Sequence, residues 1–367
     1  MSQLQKKIHS RITFISDKII QLPNFKMKAW IATLVNTFLF KSNTSYRNTK
    51  VPEIPYDQAR LLIITADDFG ASKNINEGIK LAAQKNVITA ISVLSNFSQS
   101  LPELKEISKT NPDIGIGVHL NITTGKPILT QTEIPSLVNS EGNFYTIDDL
   151  IPKLSTISLA DLQKELRAQI LALVNIGIRV DHLSDQNGIL FLYTPFFEIV
   201  TELALDFNTP VRSPEIASIK YPDLFPNSRM NAYGRQKAVK LAIKKPLKAA
   251  GLLKYARKHE IQRKIQKLDD FGVLHPDLLI EYFWGDPTIS NFRYILEHLP
   301  PGSSELILHL GTNTRQEIYP SGLDLEYFFN REQELNTVTA NNLKEHYNYL
   351  NIKIISYSKI AINGVDQ

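Results

Sequence analysis

Six residues in this 367-residue chain, at the ends of four apolar runs, carry side chains able to do hydrolytic chemistry. Asp67 and Asp68 close the run Leu61-Leu62-Ile63-Ile64-Thr65-Ala66, and Phe69-Gly70 follows them. His119 stands at the end of Ile114-Gly115-Ile116-Gly117-Val118, Ser184 and Asp185 just after Val180–Leu183, and His309 at the end of Glu305-Leu306-Ile307-Leu308. Adjacent carboxylates repel unless a cation or proton intervenes. A divalent metal held by one, with the other taking a proton from water, is a natural use of the pair. The bland use of Asp67-Asp68 is as an N-cap for the following helix, a position aspartate favours. A lone strand histidine is more often a satisfied core group, but two at strand ends, with the aspartate pair, shift that balance.

These residues need a scaffold that brings distant strand ends together. Short apolar runs at 61–66, 87–94, 114–120, 180–183, 210–212, 305–309 and 352–356 read as strands, and 74–85, 102–110 and 195–206 as helices. Strands alternating with helices over some 300 residues predict an α/β fold with a largely parallel sheet, either a barrel or doubly wound. In a barrel the C-terminal strand ends form the active-site edge. No internal repeat is visible.

The termini and charge define the remaining organisation. Residues 1–58 read as a basic N-terminal extension and linker, with Leu4, Ile8, Ile12, Ile15 and Ile19 at helical spacing. The main domain is expected over 59–362, interrupted by a basic helical insert at 229–267. Residues 1–50 hold nine Lys or Arg against Asp17, and 229–267 hold thirteen against Glu260. The overall formal charge is +4, leaving −16 for the rest of the chain. An acidic body with basic appendages admits an anionic membrane surface as partner. Nucleic acid is not expected, because Tyr233 and Tyr255 are the only aromatics of the insert. The absence of cysteine excludes disulfides, thiolate catalysis and cysteine-ligated zinc. It fits a reducing compartment. The N-terminus lacks a small-residue cleavage site, and no run reaches the ~20 apolar residues of a membrane span. The expected location is therefore cytoplasmic, peripheral at the membrane if the basic segments bind there. The oligomeric state stays open, a homo-oligomer included.

The motifs also carry a family likeness. Thr65-Ala66-Asp67-Asp68-Phe69-Gly70 followed by Asn76-Glu77-Gly78-Ile79 resembles the opening motif of the YdjC/ChbG-like carbohydrate deacetylases. Gly115-Ile116-Gly117-Val118-His119-Leu120-Asn121-Ile122-Thr123 resembles their second motif. Ile134-Pro135-Ser136-Leu137, Gly142-Asn143-Phe144, Pro210-Val211-Arg212, Glu305 to His309 and Arg331-Glu332-Gln333-Glu334-Leu335 extend the likeness over about 61–360. The resemblance implies an irregular (β/α) barrel and hydrolysis of the acetamide of an N-acetylated amino sugar or chito-oligosaccharide, with one divalent metal ion (Mg, Mn or Zn). It further implies Asp67 as general base, Asp68 and His119 as metal ligands, His309 as the acid for the leaving amine, and Arg212 and Arg331 toward the substrate.

One stretch departs from the pattern. His182-Leu183-Ser184-Asp185-Gln186-Asn187-Gly188 has Gln186 where the family carries a ligand histidine, and Ser184 in place of the usual aspartate. Asp185 or Gln186 then supplies an oxygen ligand, which suits magnesium or manganese over zinc. Otherwise the metal site is degraded and the chain is a non-catalytic binder of a glycan or lipid-linked sugar.

Overall fold

The computed structural model describes residues 59–225, 254–312, 325–339 and 347–360. The expected N-terminal extension, 1–58, and the insert up to residue 253 lie outside the described residues.

The centre of the molecule is β1 (Arg60–Phe69), in which every residue but Leu61 is buried. An apolar run covered on both faces is what a parallel sheet requires. β1 pairs with β6 (Gly302–Leu308) from Arg60 to Ala66 and with β7 (Ile352–Ile354) over Arg60–Leu62. From Thr65 onward it pairs with β2 (Ala90–Val93). β3 (Gly115–Leu120) joins β2, β4 (Leu183–Asp185) joins β3, and β5 (Leu278–Ile280) joins β6. All pairings are parallel and run in the order β4-β3-β2-β1-β6-β5. The sheet curls into a half-barrel flanked by helices, as the irregular barrel expectation required.

The gap between β4 and β5 is spanned by the segment 210–216. Leu183 N–H donates to Pro210 O and Arg212 N–H to Leu183 O, both at 2.8 Å, and Leu279 N–H donates to Glu215 O at 2.8 Å. Single parallel bridges, Leu183 to Val211 and Ile216 to Leu279, mark the two contacts. The strand expected at 210–212 is thus one bridge residue in an irregular connector, and it carries Arg212 inward.

Two further expectations need correction. The strand placed at 180–183 is shifted to Leu183–Asp185, because its register pairs Val118 with Leu183 and His119 with Ser184. β5, only three residues long, was not anticipated: it is too short to show a period. The early part of the expected 87–94 strand closes the preceding helix, with Val87 N–H on Ala82 O.

α1 (Lys73–Gln84) starts at Ser72, whose hydroxyl accepts the Ile75 N–H, and buries Ile75, Ile79, Ala82 and Ala83 on one face. That 4-3-1 spacing is an amphipathic stripe. Gly78 on the same helix is obligatory: a Cβ there would stand 2.5 Å from Gly311 Cα. α2 (Leu101–Thr110) and α3 (Leu159–Val174) follow, then α4 (Ile189–Leu192) and α5 (Thr194–Asp206). α6 (Lys258–Asp270), α7 (Ile289–Glu297) and α8 (Leu325–Thr339) complete the shell. No single helix among the described residues is long and apolar enough to cross a membrane.

Candidate active site

The strand ends named from sequence do meet. Asp67, Asp68, His119 and His309 are 4 % exposed or less. Successive residues of a strand normally face opposite sides. The β1–β2 register shifts between Ala66 and Phe69, and Asp68 takes φ +73°. Aspartate tolerates this left-handed conformation better than most residues. The kink lets both neighbouring carboxylates serve one site.

Each carboxylate has its own guanidinium. Arg212 Nη1 and Nη2 donate to Asp67 Oδ2 and Oδ1, both at 2.8 Å. Arg331 Nη2 donates to Asp68 Oδ2. Burial alone would raise both acids. The arginine beside each, helped by His119 and His309, reverses this, so both lie well below the usual carboxylate range. Arg212 and Arg331, expected toward the substrate, are 3 % and 0 % exposed and pair with the two aspartates.

His119 sits at the end of β3 with Nδ1 2.8 Å from Ser184 Oγ and Nε2 2.8 Å from Gln186 Oε1. Nε2 is also 3.5 Å from Asp68 Oδ1. Ser184 Oγ also lies 3.5 Å from Val118 O, at the limit of a hydrogen bond. Burial lowers the His119 pKa against the pull of Asp67 and Asp68, so the ring stays neutral near pH 7. Gln186 Oε1 can only accept, so the 2.8 Å contact has Nε2–H as its donor, and a cation at this point would take the place of that proton. Ligands about 2.1 Å from one ion stand roughly 3.0–3.4 Å apart in octahedral or tetrahedral geometry. The 3.5 and 2.8 Å contacts of His119 Nε2 bracket that range, so Asp68 Oδ1, His119 Nε2 and Gln186 Oε1 are the atoms that would hold a divalent cation here. Among the described residues no three His, Cys, Asp or Glu form a metal-holding group.

Asp185 faces elsewhere. Its Oδ2 accepts the Leu190 and Phe191 N–H groups at 3.1 and 3.3 Å, capping α4. Burial pushes its carboxyl up to about 7 despite those bonds and the nearby Arg212 charge. The turn bearing Gln186 is held by Asn187 Nδ2, which donates to Thr123 Oγ1 at 2.9 Å.

His309 ends β6. Burial, reinforced by Arg331, lowers its pKa to about 4. Its backbone N–H donates to Glu334 Oε2 at 2.6 Å, and burial lifts Glu334 to about 8. Glu305, fully buried on the same strand, faces Arg212. The sequence reading assigned neither glutamate a role. A charged residue inside the apolar run Glu305-Leu306-Ile307-Leu308 was the signal available for Glu305.

The chain is similar to proteins already known. A carbohydrate deacetylase of Brevibacillus brevis is 26 % identical over 307 residues, covering 82 % of this chain and 99 % of the relative. A carbohydrate deacetylase of Oceanobacillus iheyensis is 33 % identical over 162 residues, 44 % of this chain and 67 % of the relative. The fold matches a crystal structure from Enterococcus faecalis V583, described as that of a candidate cellobiose-phosphate cleavage protein. The TM-score is 0.62 at 22 % identity, covering 82 % of this chain and 98 % of that one. With the model of the YdjC-like proteins matching residues 61–349, the chain belongs to the YdjC-like family.

Proposed function

We propose that this chain is a metal-dependent carbohydrate deacetylase that hydrolyses the acetamide of an N-acetylated amino sugar or chito-oligosaccharide. The observation that carries the reading is that Asp68 Oδ1 and Gln186 Oε1 both face His119 Nε2, beside the Asp67–Arg212 pair. A divalent ion held by Asp68, His119 and Gln186 would supply Lewis acidity to the amide carbonyl and would lower the pKa of water. Magnesium or manganese suits this oxygen-rich donor set better than zinc.

Asp67 is ionised, and Arg212 fixes the plane of its carboxylate, so it is ready to accept a proton from the attacking water. The water oxygen bonds to the acetyl carbon as that proton moves to Asp67. The C–N bond breaks as the proton taken up by Asp67 is passed on through His309 to nitrogen, and acetic acid and the amine leave, as acetate and ammonium at neutral pH. His309 is neutral at rest above about pH 4. Negative charge growing on the tetrahedral oxyanion favours its cationic form, the form needed to protonate the amine. Arg331 adds positive charge near that oxyanion.

The test is acetate release from a panel of N-acetylated sugars, before and after chelation and with Mg, Mn or Zn restored. Asp67→Asn keeps the side-chain shape and removes the base; it is expected to cut the rate about 10²–10⁴-fold with metal uptake retained. A variant keeping more than half the wild-type rate would exclude Asp67 from the mechanism. The amide at position 186 also favours a second reading, a non-catalytic binder of a glycan or lipid-linked sugar. Sugar binding without acetate release under any metal would establish it.

A further inference from the structure

The contact that the catalytic scheme leaves unexplained lies one layer below Asp67. Glu305 is fully buried in β6, and its carboxylate takes three contacts from Arg212. Nε stands 3.2 and 3.1 Å from Oε1 and Oε2, and Nη2 stands 2.8 Å from Oε1. The remaining edge of the guanidinium forks onto Asp67 through Nη1 and Nη2. We propose that Glu305 is a positioning residue, which locks the Arg212 guanidinium so that Asp67 is presented to the reacting water in one orientation. This rests on the deacetylase reading above.

The geometry carries the assignment. A guanidinium held by one carboxylate can tilt about that contact, and the carboxylate tilts with it. Forks on two adjacent edges remove that freedom, because a planar five-donor group then has both its in-plane directions fixed. Arg212 needs such a lock, since it comes from the irregular 210–216 connector and not from a regular strand. β6 is regular, and pairs with β1 through Glu305 opposite Ile63. Residues 305, 307 and 309 alternate onto one face of it. The strand that carries His309 to the rim therefore also carries the anchor of the base beneath it.

A purely structural role makes a different prediction. The buried set Asp67, Arg212 and Glu305 holds two carboxylates and one cation. Neutralising Glu305 leaves Arg212 paired with Asp67, so no buried charge is stranded. Glu305→Gln is therefore expected to fold. Its amide turns an NH2 group toward a donor edge of Arg212, and the second fork is lost.

The experiment is a double-mutant cycle with acetate release as readout. Glu305→Gln should lower kcat about 10–100-fold, the scale of a small misplacement of a reacting group, with KM changed less than about twofold. In the Asp67→Asn background the same change should cost almost nothing, because Glu305 acts through Asp67. An equal loss of kcat in both backgrounds, or a loss confined to KM, overturns the proposal. If E305Q does not fold by circular dichroism, Glu305→Asp, which keeps the charge but withdraws it by one methylene, is read in the same way. A second measurement is independent of activity. In ¹⁵N-arginine-labelled protein, Arg212 Nε–H should give an exchange-protected signal that E305Q abolishes. An unchanged signal overturns the proposal whatever the sugars show. Absence of wild-type acetate release with loss of that signal would sink the deacetylase reading, and with it the catalytic purpose of the lock, while leaving its geometry established.

Discussion

Asp67 and Asp68 are chain neighbours of one chemical type, yet each has a separate arginine. The site was legible in sequence as far as the types and spacing went: a carboxylate pair at a strand end, with histidines at two others. The partners were less legible, because no short-range pattern links position 67 to 212 or position 68 to 331. Gln186 was the residue that stood out from its neighbours, and its amide oxygen does face His119 at 2.8 Å. Gln186→His is accordingly expected to raise affinity for Zn or Co by replacing a neutral oxygen with an imidazole nitrogen. Titration of metal-free protein measures this. Unchanged affinity would mean that position 186 does not reach the ion. Glu334 gives a second outcome at this scale. Its pKa is raised from 4.5 to about 8 by burial, so the folded state binds its proton more tightly than the unfolded chain. That contribution to stability is complete below about pH 4.5 and is lost as pH rises through 8. Asp185, raised to about 7, adds a similar decline at lower pH. His309, lowered to about 4, works in the opposite direction, but only below its ordinary pKa. Between pH 7 and 8 Glu334 dominates among these three groups. The melting temperature should fall across that interval, and Glu334→Gln should flatten the fall.

At the scale of elements, α3 is the strut for the loop that follows β3. Glu165 accepts the Ile128 and Leu129 N–H groups at 2.9 and 3.0 Å. Gln169 exchanges two bonds with the Asn121 backbone, 2.7 and 2.9 Å. Asp161 accepts both the Ser136 N–H and its hydroxyl. Three acidic or amide residues one helical turn apart therefore hold residues 121–136, and Thr123 in that loop steadies the turn of Gln186. Burial raises the Glu165 pKa against these bonds, the sign of a carboxylate kept for its acceptor capacity. Glu165→Ala leaves two N–H groups without their acceptor. It should cost about 1–3 kcal/mol, read from the urea midpoint, with a drop in metal affinity if Gln186 loosens. Full stability in the variant would show that water replaces the carboxylate. The strut was invisible in the sequence for a physical reason. Polar residues on a helix face look like a solvated face until the loop that covers them is known. The long apolar strands β1 and β3 were plain, whereas β4 and β5 have three residues each and are defined by pairing partners far away in the chain.

At the scale of the whole molecule, the charge separation read from sequence still has to be balanced by something negative. The formal charges are +8 over residues 1–50, +12 over 229–267 and −16 over the remainder. Like charges concentrated in one segment repel, so such a segment persists only against an acidic surface. The described end of the insert shows one answer. Ile261 and Leu268 are buried on α6, Lys264 Nζ donates to Leu192 O at 2.7 Å, and Lys267 lies 3.3 Å from Glu198. That stretch of helix docks on α4 and α5, and Arg263 and Lys267 pair with Glu260 and Glu198. Most of the thirteen cations lie earlier, outside the described residues, along with the nine of the N-terminal segment. Near an anionic bilayer each cation contributes about 1 kcal/mol, and two segments on one chain reinforce each other because the second binds at high effective concentration. The protein is therefore expected to co-sediment with vesicles containing phosphatidylserine at low salt and to be released at high salt, since the Debye length shrinks from about 30 Å at 0.01 M to about 3 Å at 1 M. Vesicles of neutral lipid should leave it in solution. Protein that stays in the supernatant with anionic vesicles at low salt would mean that the acidic body itself meets the basic segments, and that the insert is an internal cap.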